Sequence, residues 1–249
     1  MKEIEPQSLL ARIAPQRLCY LTEYLDLSSP EMLAKWAMEC WANEDESCFA
    51  VVWQYPSWGN VHFIGYDKAF CKAVLSRFKT TNVAFAYPPE EARPKVRIRG
   101  LKEKRRCIYE CFTCEGPAPT EPINPHIRLL EKDEYDLVRP IVRQKEDLQD
   151  KCVVLAWLEN GAAIGYISYS LYEGMEDSWD VNYIFSLPEH RGRGIGTALA
   201  YAYLKDIRAR DCVPYYSGVS NPASAAAARK AGFLLCGTRY AFTYKRPLL

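Results

Sequence analysis

The sequence predicts an α/β (α+β) chain of two lobes, the second a mixed sheet flanked by helices. Three observations predict it. Apolar runs of strand character alternate with helical periodicity through the second half; an Asn-Gly pair sits between two such runs; and a proline-dense stretch divides the chain. The chain has 249 residues, and 32 Lys+Arg against 31 Asp+Glu leave a net charge of +1. A hydrophobic fraction of 49% and a charged fraction of 25% are ordinary for a globular chain, which excludes disordered, collagen-like and low-complexity classes. The near-neutral charge argues against a dedicated nucleic-acid or membrane-surface protein. No run approaches the roughly 18–20 apolar residues of a membrane span. Residues 1–18 carry acids and two prolines where a signal peptide needs a basic start and an apolar run. A cytoplasmic location follows, in which the ten cysteines are reduced thiols, behaving as small buried hydrophobes.

In the first lobe, residues 7–43 read as helical, with Leu9, Leu10, Ile13, Arg17, Leu18 and Leu21 at helix spacing and Ser29-Pro30-Glu31 as a start signal. Residues 48–55 and 61–65 flank Ser57-Trp58-Gly59-Asn60 as a hairpin. Asp67 is placed to cap a helix through Phe78, and residues 82–87 read as a strand stopped by Pro88-Pro89. Residues 95–112 alternate as two strands. Pro117, Pro119, Pro122 and Pro125 fit neither a helix nor a central strand, so residues 117–125 are a linker between lobes 1–116 and 126–249.

The second lobe opens with a short strand at 126–131 and a polar helix at 133–149, interrupted by Pro140. Asn160-Gly161 between residues 152–158 and 162–171 is a hairpin turn, because both residues tolerate positive φ. Residues 179–186 form the next strand. A glycine-rich loop, a helix at 197–210, a strand at 215–219 and an Ala-rich helix at 222–231 follow, and two strands, 233–236 and 238–245, close the chain.

The loop carries the chemistry. Gly192, Gly194 and Gly196 alternate between a strand and a helix, where the backbone can turn tightly and approach a ligand. First-turn N–H groups and the helix dipole make an anion site, and Arg191 and Arg193 add positive charge: a pyrophosphate cradle. No Lys follows as a P-loop requires, and the spacing G-x-G-x-G is not the dinucleotide fingerprint. Arg191-x-x-Gly194-x-Gly196 instead resembles the acetyl-CoA loop of GNAT N-acetyltransferases. The element order over 126–249 is similar to that fold, and Asn221-x-x-Ser224 with Lys230-x-Gly232-Phe233 resembles a second block of the family. Details around Pro188–Gly194 and Pro214-Tyr215-Tyr216 are similar to a bacterial subgroup that includes zwittermicin-resistance acetyltransferases.

The resemblance implies an acetyl-CoA-dependent N-acetyltransferase in which an amine, of a small molecule such as an antibiotic, attacks the thioester directly. It implies that the pyrophosphate lies on Arg191, Gly192, Arg193, Gly194, Ile195, Gly196 and Thr197. Backbone N–H groups of the Phe185, Ser186 and Leu187 region would receive the carbonyl oxygen, and Asn221 would touch the CoA arm, cap the following helix, or do both. Asp180, sharing a strand face with Asn182, is the candidate base, with Glu173, Glu176 and Asp177 as alternates; a solvated acidic loop is the plain reading of that cluster. The family's tyrosine acid position is occupied by Ala228, leaving Tyr216, Ser224 or Tyr240 to replace it. That departure keeps a non-catalytic CoA-binding or sensory module as the alternative reading.

Two further patterns compete for attention. Cys107-x3-Cys111-x2-Cys114 matches the iron–sulfur spacing of radical SAM enzymes, but only about a dozen residues separate it from the GNAT-like half, and Cys107, Tyr109 and Cys111 fit an alternating strand. The cluster is rejected, and no metal is expected. Residues 90–106 hold eight Lys or Arg (Arg97, Arg99, Arg105 and Arg106 among them) against three Glu. A solvated face is the plain reading, and an aminoacyl-tRNA-dependent double-GNAT transferase the rival one. The first lobe lacks an equivalent glycine loop, and its element order suggests a degenerate GNAT-like half that shapes the acceptor groove.

Overall fold

The computed structural model of the chain describes residues 1–54, 59–78, 80, 82–87, 103–142, 148 and 151–244, with the side chains of 103–107 and 244 outside that description. The chain divides into two compact units, one of Met1–Glu110 with Cys236–Leu249, the other of Cys111–Leu235. Among the described residues no helix is long and apolar enough to cross a membrane. The expected strand at 95–102, the basic residues of 90–106 and the side chain of Cys107 lie outside the described residues.

The first unit begins with β1 (Lys2–Ile4), α1 (Pro6–Ile13), α2 (Leu21–Ser28) and α3 (Pro30–Lys35), then β2 (Glu39–Ala42), β3 (Phe49–Gln54) and β4 (Gly59–Ile64). The predicted helical stretch therefore ends early. In the short apolar run Cys40-Trp41-Ala42 every side chain is buried, and the run pairs with β3. Asp67 caps α4 (Lys68–Arg77) as predicted, accepting the Phe70 N–H at 2.6 Å, and β5 (Asn82–Tyr87) matches its predicted bounds. The last strand, β12 (Leu234–Tyr244), is one strand where two were predicted, and its residues 238–243 pair with β5. Gly237, read as the break, is instead a close approach: a Cβ there would lie 2.5 Å from the Cys19 carbonyl oxygen. The sheet order in this unit is β1-β2-β3-β4-β5-β12.

The second unit takes the C-terminal end of β6 (Glu103–Thr113) and continues with β7 (Ile127–Leu130), β8 (Val153–Glu159), β9 (Ala162–Leu171), β10 (Ser178–Ser186), α5 (Ile195–Ala209), β11 (Val213–Val219) and α6 (Pro222–Lys230), in sheet order β6-β11-β10-β9-β8-β7. The Asn160-Gly161 turn forms as predicted, at φ 51° and 79°. The predicted polar helix at 133–149 does not: Lys132–Leu137 and Arg139–Ile141 are short 3-10 turns, and 143–147 lie outside the description. Pro140, which has no N–H to give, stands where a continuous helix would need one. Leu199, Ala202, Tyr203 and Ile207 of α5 and Ala225 and Ala228 of α6 pack on one face of the sheet, while Tyr135, Val138, Tyr166 and the half-buried Tyr183 and Phe185 gather on the other. Cys111 is buried and Cys114 half-buried, and among the described residues no cluster of His, Cys, Asp or Glu could hold a metal ion.

The two units share a connectivity. In each, an antiparallel meander leads to a strand, a crossover helix and a strand parallel to the first: β4-α4-β5 in one, β10-α5-β11 in the other.

A buried ionic group fastens β12 in the first unit. Glu23 of α2 is fully buried and receives Arg239 of β12 at 2.6 Å and the His62 ring of β4 at 2.7 Å, while Arg239 also donates to Thr22. Burial alone would raise the Glu23 carboxyl. The Arg239 charge and the His62 hydrogen bond outweigh it and hold the carboxyl at about 2, whereas burial lowers His62. Removing one partner strands the other's charge, so Arg239→Met is expected to cost about 3–5 kcal/mol in denaturant unfolding. Both folded pKa values are depressed, so both groups stabilise the fold above their unfolded pKa. Stability should therefore fall with acidification, first below about 6.5 through His62, then from about 4.5 toward 2 through Glu23, and the Glu23→Gln variant should lose the second step.

Candidate active site

The site is built where a backbone ladder stops. β10 runs parallel to β11 through three pairs, Ser178 with Val213, Trp179 with Pro214 and Asp180 with Tyr215. Both strands continue, β10 to Ser186 and β11 to Val219, without further pairing to each other. On its other side β10 stays paired with β9 to Ser186, with an irregularity between Val181 and Tyr183 that sets Asn182 aside as an extra residue. A fork results, its vertex at Asp180 and Tyr215, with one edge of β10 left open.

Which N–H groups face the opening follows from alternation. The Leu187 N–H donates to the Ile164 carbonyl at 2.9 Å, and the register carries that ladder through Phe185 and Tyr166. In an antiparallel pair the residues between bonded pairs turn their N–H and C=O away. Ser186 therefore faces the fork, while Phe185 and Leu187 face β9. Ile184, which the sequence reading did not include, faces the fork as well. No sequence signal places the ladder's end, so its membership could not be read from the strand.

The loop beyond β10 is the one expected to form an anion cradle. Gly192 and Gly194 both stand at φ +80°, a region open to glycine at little cost, and a Cβ at either would meet nothing within 4 Å. Gly194 is the N-cap of α5 and supplies no side chain to the helix end. Among the described residues the N–H groups of Gly192, Arg193, Gly194, Ile195, Gly196 and Thr197 meet no acceptor, which leaves a row of donors at a positive helix end. Ile195 is the buried plug that seats this turn. Opposite it, Gly165 of β9 was also missed: a Cβ there would stand 2.8 Å from the Ile195 side chain and 2.9 Å from the Phe185 carbonyl oxygen. A glycine inside a strand is the signal of such an approach.

The two loop arginines divide. Arg193 is paired with Glu159 at the β8–β9 turn, by contacts of 2.5 and 3.1 Å, and donates to His190 Nδ1 at 2.7 Å. The Arg193 hydrogen bond lowers the Glu159 carboxyl. Arg191 is exposed and makes no ion pair among the described residues, so the free positive charge of the loop rests on it.

Asp180 lies at the vertex, its carboxylate accepting the Ser217 N–H at 3.1 Å and the Ser217 hydroxyl at 2.7 Å. Asn182 reaches Ser170 and Cys152 instead. Glu173, Glu176 and Asp177 are exposed on the β9–β10 turn, at the closed end of the fork and away from the loop. Asn221 caps α6 by accepting the Ala223 N–H at 2.9 Å. Ser224 of α6 shares a hydrogen bond of 2.8 Å with Tyr216 of β11, whose phenol burial pushes up to about 12. Ala228 is fully buried in the core. Tyr240 belongs to the first unit, opposite Phe85 on β5.

Among its described residues the first unit offers no counterpart. Its parallel strands β4 and β5 stay paired from Asn60 with Asn82 to Ile64 with Ala86, so no fork opens, and the Asp67 carboxylate occupies the N-terminus of α4.

A fork lies beside a helix end with no side-chain cap, and comparison with known proteins bears on the fold that holds them. The family described as "Acetyltransferase (GNAT) family" matches residues 116–233, inside the second unit. Among solved structures, a Drosophila protein resembles the chain at TM-score 0.55 and 13% identity, covering 97% of each chain. A GCN5-related N-acetyltransferase-like protein from Streptococcus suis does so at 0.53 and 11%, over 97% of this chain and 100% of that one. A GCN5-related N-acetyltransferase from Sphaerobacter thermophilus follows at 0.51 and 14%, over 84% and 80%. No curated protein sequence matches. Residues 116–233 are matched as a GNAT-family domain, and acyl transfer from CoA is the chemistry that fold supports.

Gly165→Val is expected to push Ile195 and the first turn of α5 off the sheet. Calorimetry should then show CoA binding weakened at least about tenfold, with the circular dichroism spectrum unchanged.

Proposed function

We propose that the second unit transfers the acetyl group of acetyl-CoA to a primary amine of a small molecule by direct attack. The observation that carries this reading is the fork at Asp180 and Tyr215 combined with the acceptor-free N–H groups of Gly192–Thr197. The pyrophosphate lies on those N–H groups with Arg191 beside it, and the arm runs along the open edge of β10. The N–H groups of Ser186 and Ile184 meet the arm and the thioester carbonyl, where preorganised donors are worth most as negative charge develops on oxygen. Asp180, at the vertex, receives the proton the amine must lose, and its charge draws a cationic acceptor. The departing thiolate has a pKa of about 8.5 and needs little help from an acid. The Tyr216–Ser224 hydroxyl pair, protonated throughout the neutral range, is the donor available in place of a tyrosine at 228. Antibiotic-like amines are the first acceptors to try, in keeping with the resemblance to resistance acetyltransferases.

The first unit is proposed to be a GNAT-like half that binds no CoA. Its closed β4–β5 ladder leaves the arm no edge, and Asp67 puts negative charge where a phosphate would sit.

Calorimetry with acetyl-CoA should show one site per chain. Gly194→Val and Gly196→Val should abolish it. The first strains φ +80°, and the second adds branched methyls beyond a Cβ that would itself sit in ordinary contact, 3.8 Å from the Ala227 side chain, among the N–H groups of the first helical turn. A wild-type chain that binds no acetyl-CoA would sink the reading, and a second site would sink the assignment of the first unit. Release of free CoA with a panel of amines separates an enzyme from a sensory module, which the buried Ala228 keeps as the second reading: binding with no turnover on any amine favours the module.

A further inference from the structure

We infer that Ser217 is the positioning residue of this site, holding the Asp180 carboxylate for proton transfer at the vertex of the fork. The inference rests on the proposed reading of the second unit. Asp180 is the last residue of β10 to pair with β11. Two residues past its partner Tyr215, Ser217 reaches back with both of its donors: its N–H meets Oδ1 at 3.1 Å and its hydroxyl meets Oδ2 at 2.7 Å. One residue thus grips both oxygens of one carboxylate, and two contacts fix the plane of a group that one would leave free to rotate about χ2. Hydrogen bonds to an ionised acceptor are stronger than neutral ones, so the two contacts hold the carboxylate firmly. The same grip carries the connection between β10 and β11 one step beyond their backbone ladder.

The other acidic candidates lie elsewhere. Glu173, Glu176 and Asp177 are exposed on the β9–β10 turn at the far end of the strand, and Asn182, on the irregular stretch, is turned to Ser170 and Cys152. The sequence offered no hint of Ser217, which belongs to no motif and is brought to Asp180 only by the parallel register.

Steady-state kinetics on the full chain with acetyl-CoA and a primary amine, together with calorimetry using CoA, test the inference on Ser217→Ala, Ser217→Thr and Asp180→Asn. Ser217→Ala should lower kcat about tenfold, the loss of one charge-assisted hydrogen bond, while the acetyl-CoA KM and the CoA Kd stay within about twofold. Ser217→Thr keeps the hydroxyl and should recover kcat to within about threefold of wild type. Asp180→Asn should lose turnover while binding CoA normally. A wild-type kcat in Ser217→Ala, or equal losses in the alanine and threonine variants, overturns the inference while leaving the acetyltransferase reading intact. A loss of CoA binding in Ser217→Ala as large as its loss of kcat also overturns it, because Ser217 would then support the fork and not the carboxylate. Should the wild type turn over no amine, hydrogen exchange at the Ser217 amide decides: protection that drops at least about tenfold in Asp180→Ala supports the grip, and unchanged protection ends it.

Discussion

The candidate site depends on the point at which β10 and β11 cease to pair. A parallel ladder satisfies the N–H and C=O groups of both strands, and a sheet that continued to Ser186 would present no polar edge to a ligand. Ending the ladder at Asp180 and Tyr215 exposes a strand edge with backbone donors at fixed spacing, next to a helix end that has none of its donors satisfied. Leaving such groups unpaired is costly in a folded chain unless water or a ligand meets them. The chain tolerates the opening because its other contacts are firm: β10 is paired along β9 to Ser186, Ile195 plugs the first turn of α5 into the space Gly165 provides, and Ser217 bridges the vertex to Asp180. The disposition of donors is thus set before any ligand arrives, which is what stabilisation of a developing oxyanion needs.

The first unit shows what the same connectivity does without that opening. Strand, crossover helix and parallel strand recur, but the ladder is complete from Asn60 to Ile64, and a carboxylate caps the helix. The difference lies in a few residues. Gly194 gives α5 a left-handed N-cap with no side chain, whereas Asp67 gives α4 an extended N-cap with a side-chain acceptor. A glycine cap leaves donors available for an anion, and an aspartate cap uses one and opposes the rest. Polar groups in this unit are spent inside it, on the Glu23–His62–Arg239 group that fastens β12 beneath α2.

How far the sequence disclosed this architecture varies with the range of the interaction. Local signals read well: the Asn160-Gly161 turn, the Asp67 cap and the glycine loop each depend on a few neighbouring residues. Short apolar runs read less well. Cys40-Trp41-Ala42 carries no alternation to separate strand from helix and passed for the end of a helix. Gly237 was left between two strands because sequence shows a missing side chain without showing the Cys19 carbonyl that requires its absence. At the candidate site, the tight turn of the glycine loop was legible because it is written in consecutive residues. The Ile184 and Ser186 orientation, the Gly165 contact and the Ser217 grip were not, since each depends on the register of strands distant in the chain.

The same distinction bears on charge. From sequence, Arg191 and Arg193 are equivalent contributions to a basic loop. The fold separates them: Glu159, 34 residues earlier, comes alongside only because the Asn160-Gly161 turn returns β9 along β8, and it neutralises Arg193 while leaving Arg191 exposed. An arginine already in a two-point pair is a brace for the loop, holding the turn between β8 and β9 against the segment that carries Gly192 and Gly194. An unpaired one contributes attraction for a phosphate. Both belong to the candidate loop, and the division between them lets a glycine-rich segment keep its shape while still offering a positive face. Net charge over the whole chain, near zero, conceals this, because recognition here depends on which charges the fold leaves without a partner.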